Sequence, residues 1–166
     1  MPVFGAQKFV LRKPMQIIID ADACPKAVKE IVFRAAERAK LNLTVVANTK
    51  IRMPYNPLFK SIIVPANFNE ADDKIVELVS PEDLVITADI PLADRVIKKG
   101  ALALDPRGYL YDENNIGTKL AMRDLMHELR ENGFEGGGPD EFKPKDRERF
   151  ANSLQKIISG AVRKVQ

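Results

Sequence analysis

Five short apolar runs, most of them separated by stretches of helical spacing, constrain this chain more than any other feature. Ile17-Ile18-Ile19 shows no apolar/polar alternation, so residues 15–19 read as a strand buried on both faces, as a parallel sheet requires. The run stops at Asp20-Ala21-Asp22. Pro25 suits the first turn of a helix, and Val28, Ile31, Val32, Ala35 and Ala39 recur at the spacing that makes one apolar face. Residues 43–47, 61–64, 84–87 and 101–104 read as strands two to five. Helix-start residues at 67–70 precede Ile75, Val76, Leu78 and Val79, and a further helix over 91–99 is closed by Gly100. Such alternation predicts an α/β fold with a mainly parallel sheet covered on both faces.

Beyond strand five, Pro106-Arg107-Gly108 turns into a short extended piece at 109–111. Helices over about 115–131 and 145–158 flank a loop at 136–139. Residues 48–57, with Lys50, Arg52, Pro54, Tyr55 and Pro57, read as a long surface loop. The 166 residues suffice for one domain, expected over 15–166 behind an N-terminal extension of residues 1–14.

Composition limits the chemistry. Cys24 is the single Cys and His127 the single His, which excludes an intrachain disulfide and a multi-thiolate zinc site. Any Ser/His/Asp or Cys/His mechanism would have to run through His127. With 45% hydrophobic and 30% charged residues and no apolar run of membrane-spanning length, a soluble protein of a reducing, cytoplasmic setting is expected. The whole excess of 26 basic over 23 acidic residues resides in Lys8, Arg12 and Lys13 of the extension. The body is neutral, so a general cationic coat for nucleic acid is not expected.

Ligands of open α/β sheets sit at the carboxyl ends of the strands, where strand order reverses. Asp20 and Asp22 follow strand one, and Asp89 follows strand four with Asp94 about a turn further on. Asp72 and Asp73 fall in the first turn of the helix after strand three. Carboxylates gathered without balancing cations repel one another, and a divalent ion relieves this; Mg²⁺ or Mn²⁺ prefers such oxygen ligands. Helix capping is the ordinary explanation of Asp22 and Asp72, whereas a turn or cap role only balances a ligand role at Asp20 and Asp89. Asp73 fits a solvated position.

Several stretches together carry a resemblance: IIIDADACPKAVKEI, RAAERAKLNLTVVAN, LVITADIPLADRVIKKGALALDPRG, MRDLMHELRENGFEGGGPDEF and DRERFANSL. From about Met15 to the C-terminal helix the chain resembles the YaiI/YqxD family of bacterial proteins, itself similar to PIN-like and NYN-type nuclease domains. The resemblance implies a three-layer α/β/α sandwich with sheet order 3-2-1-4-5, which sets strands one and four side by side. It also implies metal-dependent hydrolysis of RNA, or less readily of single-stranded DNA. The catalytic carboxylates it implies are Asp20, Asp72 and Asp89, holding Mg²⁺ or Mn²⁺ with Asp94 or Asp22 as a fourth ligand. The chain departs from the family pattern at Asn69 and Asp73, which leaves Asp72 matched. No protein nucleophile is needed, in keeping with the scarcity of His and Cys.

Cys24 reads as a small buried hydrophobe, since Glu30 stands where a thiol phosphatase needs Arg. His127 should face solvent, opposite an expected core stripe of Met122, Leu125, Met126 and Leu129. Lys50, Arg52 and Tyr55 could hold phosphates and stack a base, and Arg107 could clamp a phosphate, although a plain loop and a plain turn explain them too. Two other functions compete. Ile17 to Asp22 and Val85-Ile86-Thr87 also fit motifs of a haloacid-dehalogenase-like phosphatase, but no later Asp-Asp pair follows Thr87. A non-catalytic RNA-binding protein of the same fold is the third reading.

Overall fold

The computed structural model describes residues 14–135 and 141–165. In chain order the elements are β1 (Gln16–Asp20), a 3-10 turn (Ala21–Ala23), α1 (Lys26–Ala39), β2 (Asn42–Ala47), β3 (Phe59–Ile63) and α2 (Glu70–Leu78). There follow β4 (Leu84–Ile86), α3 (Ile90–Lys98), β5 (Leu102–Leu104), β6 (Leu110–Tyr111), α4 (Ile116–Glu131) and α5 (Pro144–Val165). The sheet runs β3-β2-β1-β4-β5-β6; the first five strands are parallel and β6 is antiparallel to β5. The expected order 3-2-1-4-5 is therefore present, with one added edge strand.

The unbroken Ile run of β1 follows from its central place. Successive side chains point to opposite faces of a strand, so Ile17 and Ile19 enter one apolar layer and Ile18 the other. On the first face, Leu43, Val45 and Leu84 pack with Val28 and Val32 of α1 and Phe150 and Leu154 of α5. On the second, Val46, Val85 and Ala103 pack with Ile75 of α2, Leu92 and Val96 of α3 and Ile116 of α4. All three isoleucines are fully buried, each worth roughly 1.5–3 kcal/mol relative to exposure.

Four differences from the sequence reading have local causes. β3 begins at Phe59 and not at 61, because Asn56 makes the preceding turn: its carbonyl accepts from Phe59 N–H at 3.0 Å and its side chain from Leu58 N–H at 2.9 Å. β1 extends through Asp20, which is in register with Val46. α5 continues to Val165, past the expected end at 158. The stripe of α4 is not core: Met122 and Leu125 are 54% and 49% exposed, Met126 and Leu129 are half-buried, and Ile116 is the one buried residue of that helix. Helical spacing identifies a face, but only the neighbouring elements decide whether it is covered, and α4 docks on α3 through its first turns. The expected extension, apart from Pro14, and the loop at 136–139 lie outside the described residues. Among the described residues no helix is long and apolar enough to cross a membrane.

Candidate functional site

Parallel pairing of β1 with β4 brings Ile19 level with Ile86, so Asp20 and Thr87 emerge side by side at the carboxyl edge. Thr87, fully buried, donates its hydroxyl to Asp20 Oδ2 at 2.9 Å and accepts the Asp89 backbone N–H at 3.0 Å. One hydroxyl thereby ties together the two strand-end aspartates. Asp89 caps α3, its Oδ1 accepting from Leu92 N–H at 3.0 Å. Pro91 in that first turn has no N–H to satisfy, which suits the position.

Asp20 is 6% exposed. Burial raises its pKa from 3.8 to about 6; the Thr87 hydrogen bond opposes the rise, while the fields of Asp72, Asp89 and Asp22 add to it. These four carboxylates thus share one electrostatic environment. Asp72, half-buried in the first turn of α2, is also raised, by burial first and then by Asp89 and Asp73, against the pull of Arg95. α2 and α3 cover the same face of the sheet, with Asp72 in the first turn of one and Asp89 at the cap of the other. No buried side-chain nitrogen or oxygen among the described residues lacks a partner, so Asp20 Oδ1, outside the Thr87 bond, keeps contact with solvent.

Other carboxylates at this edge are differently engaged. Asp22 is exposed and accepts the Asn48 backbone N–H at 2.8 Å, which fastens the start of the 48–58 segment and is not a helix cap. Asp94 pairs with Lys98 at 2.8 Å, and Asp73 with Arg95 at 2.9 Å. Asp105, directly after β5, is a third strand-end carboxylate that the sequence reading passed over; it accepts from Arg107 N–H at 2.6 Å and Tyr111 Oη at 3.3 Å. Burial pushes its pKa up as well, against those two hydrogen bonds. Arg95 was likewise missed, and Thr87 entered only through the motif of the competing phosphatase. The signal for Thr87 was a polar residue ending an apolar strand one position before Ala88-Asp89.

The oxygens that act on Asp20 are the Thr87 hydroxyl and the carboxylates of Asp72, Asp89 and Asp22, the kind of ligand that a hard divalent cation takes. Among the described residues, no group of three or more His, Cys, Asp or Glu side chains is assembled closely enough to hold a metal ion. The donors therefore suit Mg²⁺ or Mn²⁺ in kind, and their side chains stand apart.

Of the expected substrate-binding residues, Tyr55 lies below the level of the carboxylates, whereas Lys50 follows by two residues Asn48, whose N–H is tied to Asp22. Lys50, Arg52 and Tyr55 line a groove of about 640 Å³ with Ile51, Met53 and Phe59, and no acidic residue lines it. The segment has to travel from the carboxyl end of β2 to the amino end of β3, and Ile51, Met53 and Leu58 pack on the core as it crosses. Tyr55 precedes the turn into Phe59, which is in register with Leu43 and hence Ile17, three residues or ~10 Å below the level of Asp20. Arg107 pairs with Asp146 at 2.8 Å. Cys24 is buried, and burial pushes its thiol up to about 12. His127 is exposed and meets Glu131 at 3.1 Å.

Comparison with known proteins agrees with this architecture only at the level of kinship. The model of the uncharacterized BCR, YaiI/YqxD family, matches residues 18–160. A UPF0178 protein of Geobacter metallireducens is 52% identical over 152 residues, covering 92% of this chain and 98% of that protein. A UPF0178 protein of Shewanella amazonensis is 54% identical over 145 residues, 87% of this chain and 97% of its own length. One from Shewanella baltica reaches 57% over 143 residues, 86% and 95% respectively. No solved structure matches significantly. With a family model over most of its length and relatives at half identity or better, the chain belongs to the uncharacterized YaiI/YqxD family of UPF0178 proteins.

Proposed function

We propose that the chain is a metal-dependent phosphodiesterase acting on single-stranded RNA. One observation carries this reading: Asp20 is buried at the strand-order reversal, which raises its pKa to about 6, and the fields of Asp72, Asp89 and Asp22 add to that rise. A structural role gives no reason to gather like charges there, because each added carboxylate costs stability, and a cation offsets that cost. Asp20, Asp72 and Asp89 would hold Mg²⁺ or Mn²⁺ once their side chains, which stand apart in this structure, close on the ion, with Asp22 or Asp94 joining them on release from Asn48 or Lys98. When bound, such a cation supplies an activated water and stabilises charge developing on phosphorus. Thr87 holds the Asp20 carboxylate in one orientation and aligns the Asp89 backbone beside it. Asp89 is further fixed by its cap on α3, so both carboxylates are preorganised by the scaffold. Burial keeps the Cys24 thiol protonated, so Cys24 does not serve as a nucleophile here.

The test is cleavage of a labelled single-stranded RNA with Mg²⁺ or Mn²⁺, with and without chelator. Asp20→Asn should remove cutting, and Cys24→Ala and His127→Ala should leave it nearly intact. Loss of activity in either of the latter two, or cutting that survives chelation, overturns the reading. Release of phosphate from monoesters with RNA left whole, and an aspartyl-phosphate analogue trapped by fluoride, would point to the phosphatase chemistry instead.

A further inference from the structure

The groove of Lys50, Arg52 and Tyr55 carries its tyrosine below the level of the carboxylates, yet another aromatic residue with adjacent cations stands at their own level. Asp105 N–H donates to the Tyr109 carbonyl at 2.8 Å just past the Leu104–Leu110 pair. Because Leu104 is level with Ile86 and Ile86 with Ile19, Tyr109 lies at the height of Thr87 and Asp20. Three strand spacings separate it from Asp20 across β1-β4-β5-β6, roughly 14 Å.

Tyr109 is 51% exposed and held between the two helical layers. From α4, the Lys119 ammonium stands 5.8 Å from the ring centroid; from α5, the Arg149 guanidinium stands 5.2 Å from it and donates to Tyr109 Oη at 3.3 Å. The turn that presents the ring is clamped. Ser153 donates its hydroxyl to the Gly108 carbonyl at 2.7 Å, Arg107 pairs with Asp146 at 2.8 Å, and a Cβ on Gly108 would come within 2.7 Å of the Arg149 backbone. Lys119 has no carboxylate partner among the described residues, whereas Arg149 lies 3.7 Å from Asp146.

We propose that Tyr109, Lys119 and Arg149 form a binding subsite for single-stranded RNA, on which one base stacks while flanking phosphates meet the two cations. The proposal rests on the phosphodiesterase reading above and adds where the strand lies: along the carboxyl edge, a few nucleotides from Asp20. An aromatic ring accepts any base, and cations beside it track the backbone, so the subsite is tolerant of sequence. A base that displaces Lys119 from the ring loses a weak exposed cation–π contact and frees the ammonium for a phosphate. In a chain whose body is neutral, a local pair of cations beside a fixed ring is the economical way to hold a polyanion.

Anisotropy titration of a fluorescent oligouridylate over a salt series tests this, in chelator and again with Mg²⁺. Tyr109→Ala should weaken binding roughly 5- to 150-fold, the range of one stacked base, and Tyr109→Phe should retain it. Lys119→Ala should flatten log affinity against log salt by about 0.7. An abasic oligomer of the same length should bind parent and Tyr109→Ala alike. Unfolding curves check that the variants are folded. If the parent binds with this Tyr109 dependence but never cuts, the phosphodiesterase reading fails and the subsite stands. If it cuts with Asp20 dependence and Tyr109→Ala binds like the parent, the subsite fails alone. Absence of any RNA binding overturns both and leaves the patch to a protein ligand.

Discussion

A carboxylate kept protonated up to about pH 6 is a liability that the fold retains at Asp20. Its folded-state pKa lies above the ordinary 3.8, so the folded protein binds this proton more tightly than the unfolded chain does. The sign follows: the contribution is neutral below about pH 4, becomes unfavourable as pH rises toward 6, and is fully unfavourable above that. The shift corresponds to a penalty on the order of 2–3 kcal/mol. Asp20→Asn removes the charge while its carbonyl keeps an acceptor for Thr87 and its amide meets carboxylates as a donor. Its melting temperature at pH 7.5 is therefore expected to rise by roughly 4–10 °C, with the gain shrinking as pH falls through 6 to 4. Calorimetry across that range checks this, and a lower melting temperature at pH 7.5 contradicts it. Mg²⁺ should raise the parent's melting temperature and leave the variant's unchanged. A second residue-scale expectation concerns Cys24, buried with its thiol pushed up to about 12: alkylation by iodoacetamide at pH 8 should require unfolding, and mass spectrometry with and without denaturant distinguishes the cases.

At the scale of elements, two glycines on or against α5 should respond oppositely. Gly108, at φ +94°, sits against α5 so closely that an added Cβ meets Arg149 backbone at 2.7 Å. Gly108→Ala should cost about 2–3 kcal/mol through both strain and displacement of the turn. Gly160, inside α5 with nothing within 4 Å of an added Cβ, should gain up to about 1 kcal/mol as Ala. Urea midpoints of the two variants check the pair, and equal shifts would contradict the docking of the turn on α5. α4 gives the matching lesson for hydrophobic spacing. Since Leu125 is half-exposed, Leu125→Gln should change stability by less than about 0.5 kcal/mol; a loss of 2 kcal/mol or more would mean that the stripe is core after all.

For the whole molecule, the phosphodiesterase reading predicts that cleavage at sub-saturating cation declines as pH falls through about 6, because protons then compete with the cation for Asp20. A rate profile in Mn²⁺ between pH 5 and 8 checks it, and a flat profile contradicts it. Much of this molecule is legible one residue at a time. The unbroken Ile17-Ile18-Ile19 can only be a doubly covered strand, Asp20 and Asp89 mark strand ends by following apolar runs, and Pro91 and Gly100 bound a helix. Those features are local, and local chemistry fixes them. Sheet order is not local, and came only with the family resemblance, since the same strands could be wound in other orders. What the sequence by itself determined is the set of elements and the acids at their ends. The tertiary structure alone decided that Thr87 would bridge Asp20 and Asp89, that Tyr55 would be carried below the carboxylates while Tyr109 rose to their level, and that the apolar stripe of α4 would be only partly covered. Each of these depends on register and on which neighbour arrives, and residues far apart in the chain set both.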